Sequence, residues 1–85
     1  MTRMRKGAVQ IRFEILEFLF YHRAPQLRTY VWRKATSLSY DDFLKHLAYL
    51  KEKELVEENE DGSCKITEKG KQVYNELRNA LSSIL

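Results

Sequence analysis

One stretch constrains this chain more than any other: residues 38–67, LSYDDFLKHLAYLKEKELVEENEDGSCKIT, which read as helix, strand, hairpin tip and returning strand. Ser39 is placed to cap the helix by accepting a backbone N–H, and Asp42 sits where a carboxylate favours the positive end of the helix dipole. Phe43, Leu47 and Leu50 then recur at spacings of four and three, with Leu44 beside them, so one stripe is apolar. The other face carries Asp41, Lys45, Ala48, Tyr49 and Glu52. From Leu55 and Val56 the helical period lapses, Asp61-Gly62 supplies a turn signal, and Cys64, Ile66 and Thr67 read as the return strand. The expected unit is a helix followed by a two-stranded wing.

The flanking residues extend this pattern in both directions. From Val9, the residues Ile11, Ile15, Leu16, Phe18, Leu19 and Phe20 predict a broadly apolar first helix ending at about Tyr21 or His22. Such a breadth of apolar surface predicts cover on two sides, by other helices or a partner chain. Ala24-Pro25 ends it, because the residue before proline is driven out of the helical region and proline has no N–H to give. An extended piece at Gln26 and Leu27 leads to a brief second helix, Tyr30 to about Ala35, with Thr29 as its expected cap. Val31 and Trp32 are expected inward, Trp32 as a core anchor rather than a ligand-stacking ring, with Arg28, Arg33 and Lys34 outward. Only Thr36, Ser37 and Leu38 separate this helix from the capped one, a turn of helix-turn-helix length. Thr67 and Glu68 open a last helix whose residues Val73, Leu77, Ala80 and Ile84 alternate spacings of four and three, with Tyr74, Leu81 and Leu85 alongside. That seam suits either packing back onto the first helix or pairing with a second copy.

Charge and size narrow the function. The 85 residues carry a net charge of +3, unevenly spread. Residues 1–34 hold eight Lys or Arg against two Glu, a balance of +6, and residues 35–85 hold seven against ten, a balance of −3. A basic first third implies an anionic partner. Residues 1–8 read as a basic flexible arm and residues 9–85 as a single domain, too short for a second core. One cysteine excludes an internal disulfide, and Cys64 reads as a small strand residue in a reducing compartment. Gln10, Arg12, Glu14 and Glu17 interrupt the first apolar run, so neither a signal peptide nor a membrane span is expected and the cytoplasm is the default location. With three glycines there is no phosphate loop, His22 and His46 lie on separate helices, and no cluster has metal-ligand spacing. No enzyme, cofactor or small-molecule ligand is expected.

The run RTYVWRKATSLSYDDFLKHLAYLKEKELV, an acidic hairpin and then KITEKGKQVYNEL resemble the archaeal winged-helix family of small transcriptional regulators and chromatin-associated proteins. Thr29, Ala35, Leu38, Ser39, Tyr40, Leu47, Leu50, Leu55, Thr67 and Gly70 carry the resemblance, which spans nearly everything after residue 10. It implies an α+β, mostly α fold: a winged helix-turn-helix with a two-stranded wing and a C-terminal helix. It also implies DNA binding and, in some members, dimerisation through the C-terminal helix. Three departures stand out. Glu54 occupies the family's usual glycine, Thr36 and Ser37 replace its asparagine, and the wing carries Glu57, Glu58, Glu60 and Asp61 where phosphate contacts call for Lys or Arg.

The expected interface puts the helix of about residues 39–53 in the major groove, with Tyr40, Asp41, Lys45 and Tyr49 toward base edges. Arg28, Arg33, Lys34 and the arm residues Arg3, Arg5 and Lys6 would hold phosphates. Asp41 either serves the helix start or accepts from a cytosine amino group. Val73, Leu77, Ala80, Leu81 and Ile84 are the candidate dimerisation residues. The partners are then double-stranded DNA and a second copy; the alternative is a winged-helix protein-interaction module that does not bind DNA.

Overall fold

The computed structural model describes residues 7–84, with side chains through residue 80. The elements run α1 (Ala8–Tyr21), β1 (Gln26–Leu27), α2 (Arg28–Ala35), α3 (Tyr40–Glu52), β2 (Val56–Glu58), β3 (Ser63–Ile66) and α4 (Glu68–Ile84). The expected arm residues Arg3, Arg5 and Lys6 lie outside the described residues. This is the α+β, mostly α arrangement that the resemblance implies.

α1 is the central helix. Phe13, Ile15, Leu16 and Leu19 are buried, and α2, α3, α4 and β3 all pack against it. Much of its apolar surface is thus covered within the chain, with Val9 and Tyr21 left exposed. Phe13 and Phe20 sandwich Tyr74 of α4 at 5.2 and 4.6 Å between ring centres. The Tyr74 hydroxyl donates to Glu17 at 3.0 Å, which satisfies a phenol that is otherwise fully buried. Burial first, then the Tyr21 and Glu17 contacts, push its ionisation upward. It stays neutral and donates.

Two local expectations are corrected. Thr29 does not cap α2, which opens two residues before the expected Tyr30, at Arg28, directly after β1, with no side-chain cap. The Arg28 amide donates instead to the Gly62 carbonyl at 3.1 Å, so the wing tip supplies the partner that a cap would have supplied. Thr67 does not belong to the return strand, which ends at Ile66. The sheet also has a third strand: β1 pairs antiparallel with β3, Gln26 opposite Cys64, giving the order β1-β3-β2. Two residues are too few for any alternation to announce a partner.

The end of α3 and the start of α4 meet in one knot of backbone contacts. Leu55 N donates to Leu50 O at 2.9 Å and Glu54 N to Lys51 O at 3.0 Å, the paired bonds of a Schellman ending, with Leu50 and Leu55 both buried. This geometry needs a left-handed residue, and Glu54 takes it at φ 60°. Thr67 Oγ1 donates to Glu54 O at 2.6 Å and accepts from Gly70 N at 2.9 Å, capping α4. A Cβ on Gly70 would collide with the Leu55 carbonyl oxygen and come within 2.7 Å of Ile66 Cγ1. Only glycine permits that approach.

Substitutions at the two positions should act in opposite directions. Glu54→Gly relieves a side chain from the left-handed region and should stabilise the fold by about 1 kcal/mol. Gly70→Ala overfills the knot and should cost roughly 1–3 kcal/mol, although alanine ordinarily outranks glycine inside a helix. Urea unfolding followed by circular dichroism would measure both; equal midpoints for the three proteins would contradict this account of the knot.

Candidate nucleic-acid interface

α3 is a rigidly backed helix with one free stripe. Ser39 Oγ accepts from Asp42 N at 3.2 Å, and Asp41 and Asp42 lie in the first turn. Phe43, Leu47 and Leu50 are buried, which fixes the rotation of the helix. Asp41, Lys45, Ala48 and Glu52 consequently form the outward line, all exposed. Lys45 supplies that line with a cation, its side chain 81% accessible and 4.0 Å from Asp42.

The two tyrosines expected beside Lys45 lie on opposite flanks of that line. Tyr40 is half-buried, edge-on to Trp32 at 5.0 Å between ring centres and stacked on Phe43 at 6.1 Å. It lines the turn between the helices. Trp32 Nε1 in turn donates to Leu38 O at 2.7 Å and locks the turn itself. Tyr49 sits on the α1 flank, where the Arg12 guanidinium covers its ring at 3.6 Å. Arg12 Nε also donates to His46 Nδ1 at 3.3 Å, so the ring is an acceptor there. Arg12 was not among the sequence candidates, and nothing in its spacing links it to a residue 34 positions away.

The basic residues of the first third divide by environment. Arg33 and Lys34 are exposed on α2, with Lys34 Nζ 5.8 Å from the Tyr30 ring centre. Arg28 is drawn to the wing, its Nη1 3.3 Å from Glu58 Oε2. Lys51 reaches the other oxygen, Oε1, at 2.7 Å. The acidic wing is therefore largely answered from within: Lys65 lies 3.7 Å from Glu57, and Asp61 accepts from the Ser63 hydroxyl and amide, which hold its carboxyl below the ordinary value. Glu60 is exposed. Beneath the wing Cys64 is buried, and desolvation, reinforced by Glu58, pushes its thiol up to about 11. It is a packing residue.

Of the expected dimer seam, Val73 and Leu77 are half-buried against the core, while Ala80 is exposed. The side chains of Leu81 and Ile84 lie outside the described ones.

A helix-turn-helix followed by a β-hairpin, closed by a helix against the first, is the geometry on the page, and a winged helix-turn-helix family profile matches residues 5–84. The chain belongs to the winged helix-turn-helix family. No curated protein and no solved structure matched it. Membership supports DNA as the general class of partner for such a domain. Among the described residues no helix is long and apolar enough to cross a membrane, and no cluster of His, Cys, Asp or Glu could hold a metal ion.

His46 gives this winged helix-turn-helix domain a pH dependence. Burial first and Arg12 second hold its pKa below 6.5, against an opposing pull from Asp42. The folded state thus prefers the neutral ring, and its stabilising contribution is present above pH 6.5 and is lost as pH falls through the lower folded value. His46→Gln should flatten the stability profile between about pH 7 and pH 5. Denaturant titrations across that range check this, and parallel profiles for the two proteins would refute it.

Proposed function

We propose that this domain binds double-stranded DNA as a transcriptional regulator or chromatin-associated protein, as a homodimer paired along α4. The observation that carries the proposal is α3 itself, capped at Ser39, backed by Phe43, Leu47 and Leu50 and exposed along Asp41, Lys45, Ala48 and Glu52. A helix held this way fits a major groove with its N-terminal half toward base edges. Lys45 is the cation of that exposed line. Arg33 and Lys34 on α2, with Arg3, Arg5 and Lys6 before α1, supply phosphate neutralisation. Asp41 accepts from a cytosine amino group or serves the helix dipole. Tyr40 supports the turn, and Tyr49 with Arg12 above it borders the groove-facing line.

A dimer through Val73, Leu77, Ala80, Leu81 and Ile84 would offer two such helices to half-sites about 34 Å apart. One observation favours the second reading, a protein-docking module: along and beside the outward line three exposed carboxylates, Asp41, Asp42 and Glu52, outnumber Lys45. Their field disfavours close approach of phosphates.

Fluorescence anisotropy of a labelled mixed-sequence duplex, titrated at several salt concentrations, separates the two. Wild type should bind with log affinity falling linearly in log salt, and Arg33→Ala with Lys34→Ala should reduce that slope by about 0.9 for each phosphate no longer neutralised. Lys45→Ala should weaken binding further, and the free protein should sediment at twice its 10.2 kDa chain mass. Binding weaker than about 10⁻⁴ M at low salt would remove DNA as the partner and leave the docking module.

A further inference from the structure

Glu58 stands out among the charged residues because two cations from different elements converge on it. Arg28 comes from the first residue of α2, Lys51 from the last turn of α3, and each takes a separate carboxylate oxygen, at 3.3 and 2.7 Å. The Glu58 side chain is only 12% exposed, whereas those of Arg28 and Lys51 are 42% and 43% exposed. The anion is enclosed and the cations are open to solvent. Two cations presented on either side of one small anion form the donor arrangement that also suits a phosphate group.

We propose that Arg28 and Lys51 form an anion site for phosphate which the chain's own Glu58 occupies, and that this internal carboxylate restrains the affinity of the domain for a phosphate backbone. The inference on DNA rests on the function proposed above; the anion site does not. Position supports it. Arg28 opens the first helix of the helix-turn-helix, Lys51 lies in the last turn of α3 next in sequence to Glu52 of the outward line, and Glu58 is on the wing, so the cluster joins all three parts of the winged helix. The wing carboxylates Glu57 and Asp61 do not compete for the pair, since Glu57 faces Lys65 and Asp61 is held by Ser63. A phosphate arriving there must displace Glu58. Binding at this site is therefore weaker than the number of basic residues implies.

Glu58→Gln keeps the side-chain shape, removes the charge, and leaves two cations that water can reach. Pyrophosphate provides the first test, without DNA: it should raise the melting temperature of Glu58→Gln clearly more than that of wild type, and the difference should vanish in the triple variant that adds Arg28→Gln and Lys51→Gln. Circular dichroism of each variant verifies the fold, and Glu58→Ala serves as a second charge-removing variant should the glutamine one misfold. In duplex titrations at 50 mM salt, Glu58→Gln should bind about tenfold tighter for each additional phosphate it neutralises, with the salt slope steeper by about 0.9 for each. Equal pyrophosphate responses in wild type and Glu58→Gln would overturn the anion site. A pyrophosphate response without duplex binding by any variant would retain the site and overturn its link to DNA; duplex binding that is identical in wild type and Glu58→Gln would overturn the restraint alone.

Discussion

The junction of Glu54, Leu55, Thr67 and Gly70 positions what this domain turns outward. The Leu55 carbonyl accepts from Thr67 N at 3.0 Å, Thr67 Oγ1 bridges Glu54 O and Gly70 N, and Gly70 leaves out the Cβ that would strike that same carbonyl. Four residues thereby tie the exit of α3 and the entry of β2 to the exit of β3 and the start of α4. Backbone groups buried at such a junction must find partners or incur a desolvation penalty, which leaves few alternative geometries. The base of the wing is thereby tied to the end of α3, and α4 is aimed onto α1, where Tyr74 inserts between Phe13 and Phe20.

Electrostatics gives the same framework its particular character. The charges along the chain suggest a basic front and an acidic wing that repel or attract as blocks. In the folded chain the blocks are partly cancelled: Arg28 and Lys51 close on Glu58, Lys65 approaches Glu57, and Arg12 is engaged by Tyr49 and His46. Exposed pairs of this kind contribute little stability, but Glu58 is shielded enough for its partners to matter more. The cations left outward on α2 and α3, among them Lys45, Arg33 and Lys34, are fewer than composition implies.

Much of the architecture was legible because its signals are local. Ser39 capping α3, the Phe43–Leu47–Leu50 stripe, the Asp61-Gly62 turn with Gly62 at φ 85°, and Thr67 capping α4 each depend on residues within a few positions. Local geometry is written in local spacing. Thr29 misled because its cap position was pre-empted from a distance, by Gly62 on the wing tip. β1 carried too little sequence to reveal its pairing with β3. Tyr40 and Tyr49 share the helix bearing Lys45, yet neighbours on α2 and α1 claim them in opposite directions.

By itself the sequence determined the element order, the caps of α3 and α4 and the buried stripe of α3, since each follows from the periodicity or hydrogen-bonding reach of a short segment. Only the tertiary structure decided why position 70 must be glycine and which charges remain available. Arg28, Lys51 and Glu58 come from three different elements, as Arg12 comes from another helix than His46 and Tyr49, and whether such charges face solvent or each other is fixed when the helices pack. Coulombic attraction depends on separation in space and on local desolvation, neither of which is a property of sequence position.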